Sequence, residues 1–586
     1  MSAKSGKVGV WPLLICWLLT AAAYVAKAIF TAGTTPLILD SDDAMRLNEV
    51  HDFLAGQNWF DLVQHRLNTP YGGELHWSRL IDLPEAALLL LLRPLAGGIA
   101  DTVAAYLWPL LLLGLLLWLS AKLALRLGRR EARWAALLLP AVSLIVMGEF
   151  APGRFDHHSA QILLTLAMLY CAIASLDRPR FAIGAGLAAA AALAIGIEGL
   201  PIVAVTVIIF ALMWVAAPRH ATALRDFGFS FGLATALALA QGVAPARWFE
   251  LKLDAISIVY VTAAALCGLA FVLLSLLPLR SLASRLVVAL IAGAVTGAAL
   301  LWLDPALLKG PYAALDPWLV QNWLTHVSES QTWIQSFIED PVYPLGVTIP
   351  VLLALAFALW NIVQKKDRGA WLIVAAFLLV GLAVMLIQIR AARIVTPLAV
   401  PVCAALVATI WRRLVARPGL RPALAMVVAA LGSAGLAVAL LVAMVPFVPA
   451  PGPPASGNRQ ACLQPSAFTA LAGQLPERIM APVDLGSHLL LFTQHAVVGA
   501  PYHRNQQGLL DTFHFFNGPI EQGRDILAAR GVGLVVICPA MSEIRGLVEH
   551  APDSFVSLFA AGTLPDWLID QSLPDSPLRV YVVVPR

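Results

Sequence analysis

The sequence predicts a polytopic α-helical membrane protein that ends in a C-terminal α/β soluble domain. Sixty per cent of its 586 residues are hydrophobic, only 13% are charged, and the mean hydropathy is +0.80. Apolar stretches long enough to cross a hydrocarbon core about 30 Å thick recur about thirteen times between short loops. After about residue 447 the apolar runs shorten to strand length, which marks a change from membrane to water as the surrounding solvent. The net charge of +4 is small. Lys and Arg lie mainly in short loops, a pattern that sets topology and gives no nucleic-acid surface.

Taken in order, spans are expected at 10–32, 103–126, 133–149, 159–176, 182–197, 201–217, 226–243, 257–278, 286–303, 344–364, 370–388, 394–411 and 423–447. The first runs on without a small-residue cleavage site and reads as a retained helix. Lys7, Lys122, Arg126, Arg133, Lys365, Lys366, Arg368, Arg412, Arg413 and Arg417 all fall on one side, so the N-terminus is expected in the cytoplasm. Segments 33–102, 150–158 and 304–343 then face outward. The expected domains are 1–447 for the membrane part with its outer loops 33–102 and 304–343, a stiff Pro-rich linker at 448–457, and an extracytoplasmic α/β domain at 458–586. In that last domain Gly533–Ile537 and Val580–Val584 read as buried strands, and Ser466–Leu475 and Pro519–Arg530 as helices. The expected location is a bacterial inner (cell) membrane with this domain on the periplasmic side.

Cysteine usage follows the same division. Cys16, Cys171, Cys267 and Cys403 sit in spans, where cysteine acts as a small apolar residue. Cys462 and Cys538 fall in the outer domain and are able to pair if that compartment is oxidising, a point that sequence leaves open.

The residues capable of chemistry lie in the outward loops. Asp40, Asp42 and Asp43 precede a helical run over Met45–Leu54; helix capping explains one of these aspartates and leaves the others unexplained. Asp156 and His158, in Asp156-His157-His158, offer carboxylate oxygen and imidazole nitrogen to one cation where the backbone turns; the alternative is a capped helix start. Glu329 lies in an outer loop of about 40 residues, a length that suggests function or disorder. Arg390 and Arg393 end the eleventh span, to snorkel to head groups or to clamp a phosphate. His76 and Trp77, in His76-Trp77-Ser78-Arg79, suit stacking on a saccharide or anchoring a loop helix. His503 and Arg504 suit contacts to sugar hydroxyls or phosphate, or a tight loop that holds the domain together. Glu198, between two spans, is expected to be a solvated turn residue, with lining of the same cavity as the alternative.

These features, in this order and on one side, resemble the catalytic subunit of oligosaccharyltransferase, of the GT-C class of membrane glycosyltransferases. Val327-Ser328-Glu329-Ser330-Gln331-Thr332-Trp333 is similar to that family's Ser-Val-Ser-Glu loop, and Asp156-x-His158 to the archaeal form of its second metal motif. The resemblance implies a GT-C-like fold and transfer of a saccharide from a polyprenyl-(di)phosphate carrier to an extracytoplasmic acceptor. It implies that Asp42 (or Asp43 or Asp40), Asp156 and His158 bind Mn²⁺ or Mg²⁺, with Asp42, Asp43 and Glu329 as the catalytic set. Arg393, with Arg390 second, would meet the donor phosphate. The family's Trp-Trp-Asp-Tyr-Gly motif is missing; its nearest counterpart is Val483-Asp484-Leu485-Gly486-Ser487-His488, which makes Asp484 and His488 candidates for acceptor or sugar contacts. The acceptor is therefore open between a protein and a glycolipid or polysaccharide. The rival reading is a transporter or flippase of lipid-linked saccharides, disfavoured because the ionisable residues gather in outer loops and not at mid-span.

Overall fold

In the sequence, Pro and Gly punctuate the apolar runs, and those residues decide where the long helices stop, bend or meet. The computed structural model describes residues 7–35, 37–128, 130–310, 312, 314–445, 459–541 and 554–585; the expected linker at 448–457 lies outside them. Among the described residues ten helices are long and apolar enough to cross a membrane. They include α1 (Val10–Ala32) and, after the outer helix α2 (Ser41–Leu54) and a hairpin of β1 (Val63–Gln64) and β2 (Gly73–Glu74), a continuous run of α3 (Arg79–Ala96) into α4 (Ala100–Leu127). This is an integral membrane protein.

Three expected spans depart from a simple rod. The segment 133–149 breaks into α5 (Ala132–Leu138), a 3₁₀ turn at Leu139–Val142 and α6 (Leu144–Glu149), because Pro140 lacks the N–H that would continue the ladder. After α7 (His158–Ser175), α8 (Phe181–Ile195) has 15 residues, fewer than the roughly 20 that span a bilayer. The chain continues through α9 (Leu200–Ala216), α10 (Ala221–Gly242), α11 (Ile258–Leu276) and α12 (Leu282–Leu303) to two short outer helices, α13 (Pro317–Asn322) and α14 (Trp333–Glu339). It returns through α15 (Val342–Val363), α16 (Arg368–Ile387) and α17 (Ala392–Ala416). The last expected span is two helices, α18 (Leu420–Ser433) and α19 (Gly435–Ala443), bent by 93°. At that bend a β-carbon on Gly435 would stand 2.8 Å from the Gly346 carbonyl oxygen, so two backbones meet where only glycine fits.

The expected outer loop 33–102 is largely helical. In α3 the buried face carries Arg79, Asp82 and Glu85, while Leu83, Leu90, Leu91 and Leu95 are exposed. This inversion of the soluble pattern matches an apolar solvent outside and a polar interior. Arg46 of α2, fully buried, donates to Asp82 at 2.8 Å.

The C-terminal residues form a five-stranded sheet in the order β4-β3-β5-β7-β6. Strand β3 (Arg478–Met480) runs parallel to β4 (Ala496–Val497) and β5 (Leu534–Ile537); β7 (Arg579–Val583) runs antiparallel to β5 and to β6 (Leu568–Asp570). The expected helix at 466–475 shrinks to a 3₁₀ turn at Pro465–Phe468 and one further turn, Thr469–Ala472. Cys462 and Cys538 form a disulfide with Cα atoms 6.2 Å apart.

The first outer loop is built into this sheet. Val497 of β4 donates its N–H to Arg66 O at 2.8 Å and accepts from Thr69 N–H at 3.1 Å, so Leu67 bridges the free edge of β4. The Arg66 guanidinium donates to the carbonyls of Leu490 and Thr493, each at 2.8 Å, and to Asn48 Oδ1 at 2.7 Å. With the His495 carbonyl at 3.3 Å as a fourth acceptor, Arg66→Ala takes the donor from four groups at once. It is expected to destabilise the outer region by about 2 kcal/mol and speed its tryptic cleavage, with Arg66→Lys in between. Thermal unfolding of the purified protein would check this.

Candidate active site

The first turn of α2 sorts the three aspartates. Asp40 is the N-cap, accepting the Asp42 N–H at 3.1 Å, and it pairs with Arg154 at 2.8 Å. Asp43 points back into the protein: its Oδ1 accepts the N–H groups of Phe155 and Asp156, each at 2.7 Å, and its Oδ2 lies 2.8 Å from Arg154. Burial pushes the Asp43 carboxyl up to about 8 even though Arg154 opposes it. Asp43, expected in the catalytic set, thus holds a loop and does not line the cavity. Asp42 does line it. Burial and the like charges of Asp40, Asp156 and Glu329 hold its carboxyl well above the usual range.

The loop that Asp43 holds delivers Asp156, His157 and His158, whose ligand atoms lie within 4.8 Å of one another. Asp156 is 3% exposed. Its Oδ1 accepts the His157 backbone N–H at 2.6 Å and the His157 Nδ1–H at 2.5 Å. Its Oδ2, buried and without a hydrogen bond, faces His158 Nε2 at 3.1 Å. Burial disfavours the Asp156 carboxylate, but His157 and His158 outweigh it and hold the group well below its usual value. On its other side His157 donates from Nε2 to Glu198 Oε1 at 2.8 Å. Burial opposes the charge on His157, and the two carboxylates nevertheless raise it to about 10. Arg46 backs Asp156 from 4.0 Å and lies 4.4 Å over the Trp77 ring.

Glu198 is therefore not the solvated turn residue that the sequence favoured but the alternative, a residue that lines the cavity. Its signal was the flanking glycines: a β-carbon on Gly196 would stand 3.1 Å from His157 Nε2, and one on Gly199 3.1 Å from Gln161 Oε1. Glu149 was also missed. It accepts from Arg154 at 2.8 Å and lies 3.0 Å from Arg393 Nε.

The two arginines at the end of α16 and the start of α17 differ in what they touch. Arg393 donates to His158 Nε2 at 2.6 Å, to Glu329 through both terminal nitrogens, and to Glu149. Arg390 donates to Gln388 Oε1 at 3.1 Å and reaches the Tyr312 hydroxyl at 3.4 Å, with no ion pair to a carboxylate among the described residues. Arg390, the second choice for a phosphate contact, is thus the cation that faces the cavity without an acidic partner.

The opposite wall is aromatic. His76 packs on His503 with centroids 4.7 Å apart, and Tyr312 meets His503 edge-on at 5.5 Å. His503 donates to Asp254 at 2.8 Å. Arg504 grips Asp254 with two bonds of 2.6 and 2.8 Å and reaches Glu74 at 3.1 Å, outside the cavity wall, so it cross-links loops. His488, expected at the acceptor, is also off the cavity. Buried, it donates to Ile38 O at 2.9 Å and pins the outer domain to the segment before α2. Asp484 lines the cavity beside Arg459, 3.8 Å away.

Together Asp42, His76, Trp77, His157, His158, Glu198, Glu329, Arg390, Arg393, Asp484 and His503 line one cavity of about 1220 Å³. No family model matches this sequence, and no curated protein is similar to it in sequence. Solved structures do share its architecture. Archaeal oligosaccharyltransferase AglB from Archaeoglobus fulgidus, with an inhibitory peptide and a dolichol-phosphate, matches with a TM-score of 0.68 at 12% identity, over 98% of this chain and 74% of that one. The oligosaccharyltransferase of the same organism in complex with Zn and sulfate matches at 0.61 and 12% identity, over 89% and 67%. Arabinofuranosyltransferase AftD from Mycobacteria matches at 0.52 and 16% identity, over 99% of this chain and 42% of that one.

The chain has a GT-C fold of oligosaccharyltransferase type. In this GT-C chain the His488 pin is a pH-dependent tie. Burial holds the imidazole neutral, its pKa pushed down to about 4 from an ordinary value near 6.5. A group neutral when folded and charged when unfolded contributes stability above pH 6.5 that is lost as pH falls toward 4. The unfolding midpoint is expected to fall across that window, and His488→Gln to flatten the fall.

Proposed function

We propose that this protein is a membrane glycosyltransferase that moves a saccharide from a polyprenyl-(di)phosphate carrier to an acceptor on the outer side of the membrane. The observation that carries this is the cavity itself. Four separate stretches of chain, at Asp42, at His157–His158, at Glu329 and at Arg390–Arg393, meet on one cavity together with an aromatic wall, with Asp156 buried beside His158 just off that wall. The fold supports the reading, as does the dolichol-phosphate seen with the archaeal oligosaccharyltransferase of that fold. The disulfide supports an oxidising compartment for the C-terminal domain, consistent with a bacterial inner membrane and a periplasmic site.

The residues fit a divalent cation. Asp156 Oδ2 is buried without a hydrogen bond, Asp42 faces like charges, and His158 adds an imidazole nitrogen. This mixture of hard carboxylate and imidazole suits Mn²⁺ and, with more water, Mg²⁺. Such an ion, held by Asp156 and His158, would supply Lewis-acid neutralisation of the phosphate as it departs; Asp42, the third expected ligand, lies outside the group of close ligand atoms among the described residues.

The chain's own groups do the rest. Arg390, with no acidic partner, pairs with the phosphate and steadies the charge that grows when the C1–O bond to phosphate breaks. Asp42 orients the acceptor nucleophile toward C1 and takes its proton as the new glycosidic bond forms, a task suited to a carboxyl with a raised pKa. Glu329, held by Arg393, and Asp484, on the outer-domain side, flank the acceptor's approach. His76, Trp77 and His503 supply stacking surface for the sugar. Without a sequon-reading aromatic motif, a glycolipid or polysaccharide acceptor fits as well as a protein.

Release of polyprenyl phosphate from native lipid-linked saccharides, in the presence of envelope extract, tests the reading. It is expected to require Mn²⁺ or Mg²⁺ and to fall about 100-fold or more in Asp156→Asn. Equal release by wild type and variant, or release that ignores chelation, would sink the assignment. Arg390→Ala is expected to raise the KM for donor about tenfold, and Arg390→Lys to recover part of it, because an ammonium supplies charge without the bidentate fork.

A further inference from the structure

His157 stands among the would-be metal ligands, but its geometry removes it from them. Its Nδ1 is 2.5 Å from Asp156 Oδ1 and its Nε2 is 2.8 Å from Glu198 Oε1. A ring that donates from both nitrogens has no lone pair left for a cation. It acts instead as a strut between two carboxylates. Glu198 meanwhile turns its second oxygen to His158 Nδ1, 3.6 Å away, on the side of that ring opposite Nε2.

The turn that carries Glu198 is fastened to α7. Gln161, one turn past His157, donates to Ala192 O at 2.9 Å and Gly196 O at 2.8 Å, and Gly196 and Gly199 leave no β-carbon to hold the backbones apart. Glu198 thus reaches both candidate ligands from a rigid support. Through His157 it fixes Asp156 Oδ1, which leaves Oδ2 to face His158 Nε2. Across from Nδ1 it favours the His158 tautomer that keeps the Nε2 lone pair facing forward.

We infer that Glu198 is a positioning residue that orients both Asp156 and His158 toward one divalent cation, with His157 as its relay. This rests on the metal-assisted reading above and deepens it, because it assigns the carboxylate behind the ligating histidine to a turn between α8 and α9, where the sequence favoured a solvated residue. Such outer partners are worth about 10–100-fold in metal affinity.

Binding of Mn²⁺ to the purified full-length protein, read from the electron paramagnetic resonance of free Mn²⁺ with no donor present, separates the possibilities. Wild type is expected to bind. Glu198→Gln, which can still accept from His157, is expected to weaken binding about 10–100-fold, and Glu198→Asp to do so less. His157→Gln, which breaks only the arm to Asp156, is expected to weaken binding no more than Glu198→Gln, and the double variant to be no weaker than Glu198→Gln alone, because that arm is broken only once. Wild type that binds no Mn²⁺ overturns the cation reading and this inference with it. Wild type that binds while Glu198→Gln binds equally well, or single losses that add in the double variant, overturn the positioning role alone.

Discussion

Asp43 Oδ1 receives the backbone N–H groups of Phe155 and Asp156, both at 2.7 Å, in a place solvent does not reach. Those two bonds join the first outer helix to the loop that opens α7, more than a hundred residues later in the chain. A buried carboxyl group that accepts two backbone donors is hard to replace: remove it and two N–H groups lose their acceptor while Arg154 loses one of its three acidic partners. The placing of Asp42 on the cavity wall and of Asp156 beside His158 depends on this junction. Asp43 supports the site from behind while its neighbour one residue earlier lines it.

The charges around that junction are answered unevenly. Arg154 answers Asp40, Asp43 and Glu149, and Arg393 answers Glu149 and Glu329. Asp42 and Asp156 Oδ2 are left facing each other's field without a dedicated hydrogen bond. Arg393 also donates to His158 Nε2, the atom a divalent ion would need. One lone pair cannot serve both, so an ion at His158 and the Arg393 contact exclude each other. The arginine tied to Glu329 is thus also tied to His158, and the arginine three residues earlier has no ion pair to a carboxylate among the described residues.

Much of this was legible in the sequence because the bilayer imposes a simple pattern. Apolar runs gave the helices, and the asymmetry of Lys and Arg put Asp42, Asp156, Glu329 and Arg390 on one face. The breaks were less legible: Pro140 and the Gly346–Gly435 contact act through geometry that hydropathy does not record. Within the site, residue type pointed to chemistry, but side-chain direction did not follow from it. Asp42 and Asp43 are adjacent on a helix start, so one faces the cavity and the other cannot. Arg504 and His488 looked like ligands for a sugar, yet their partners, Asp254 and the Ile38 carbonyl, lie about 250 and 450 residues away in sequence. Glu198 carried a local hint in its two glycines, but what they make room for belongs to α7.

The hairpin that closes the edge of β4 has a consequence for how the protein is made. Arg66 and the Thr493 carbonyl it binds are 427 residues apart, so the first outer loop emerges long before the sheet it completes. Until the last domain arrives, that loop must wait with a buried-type arginine and an unpaired extended segment in water. Once docked, it shields a strand edge that would otherwise invite other chains to add to it. One docking step thus seals both the first loop and the edge of β4, and a chain cut short before that strand would display the open loop as a mark of incompleteness.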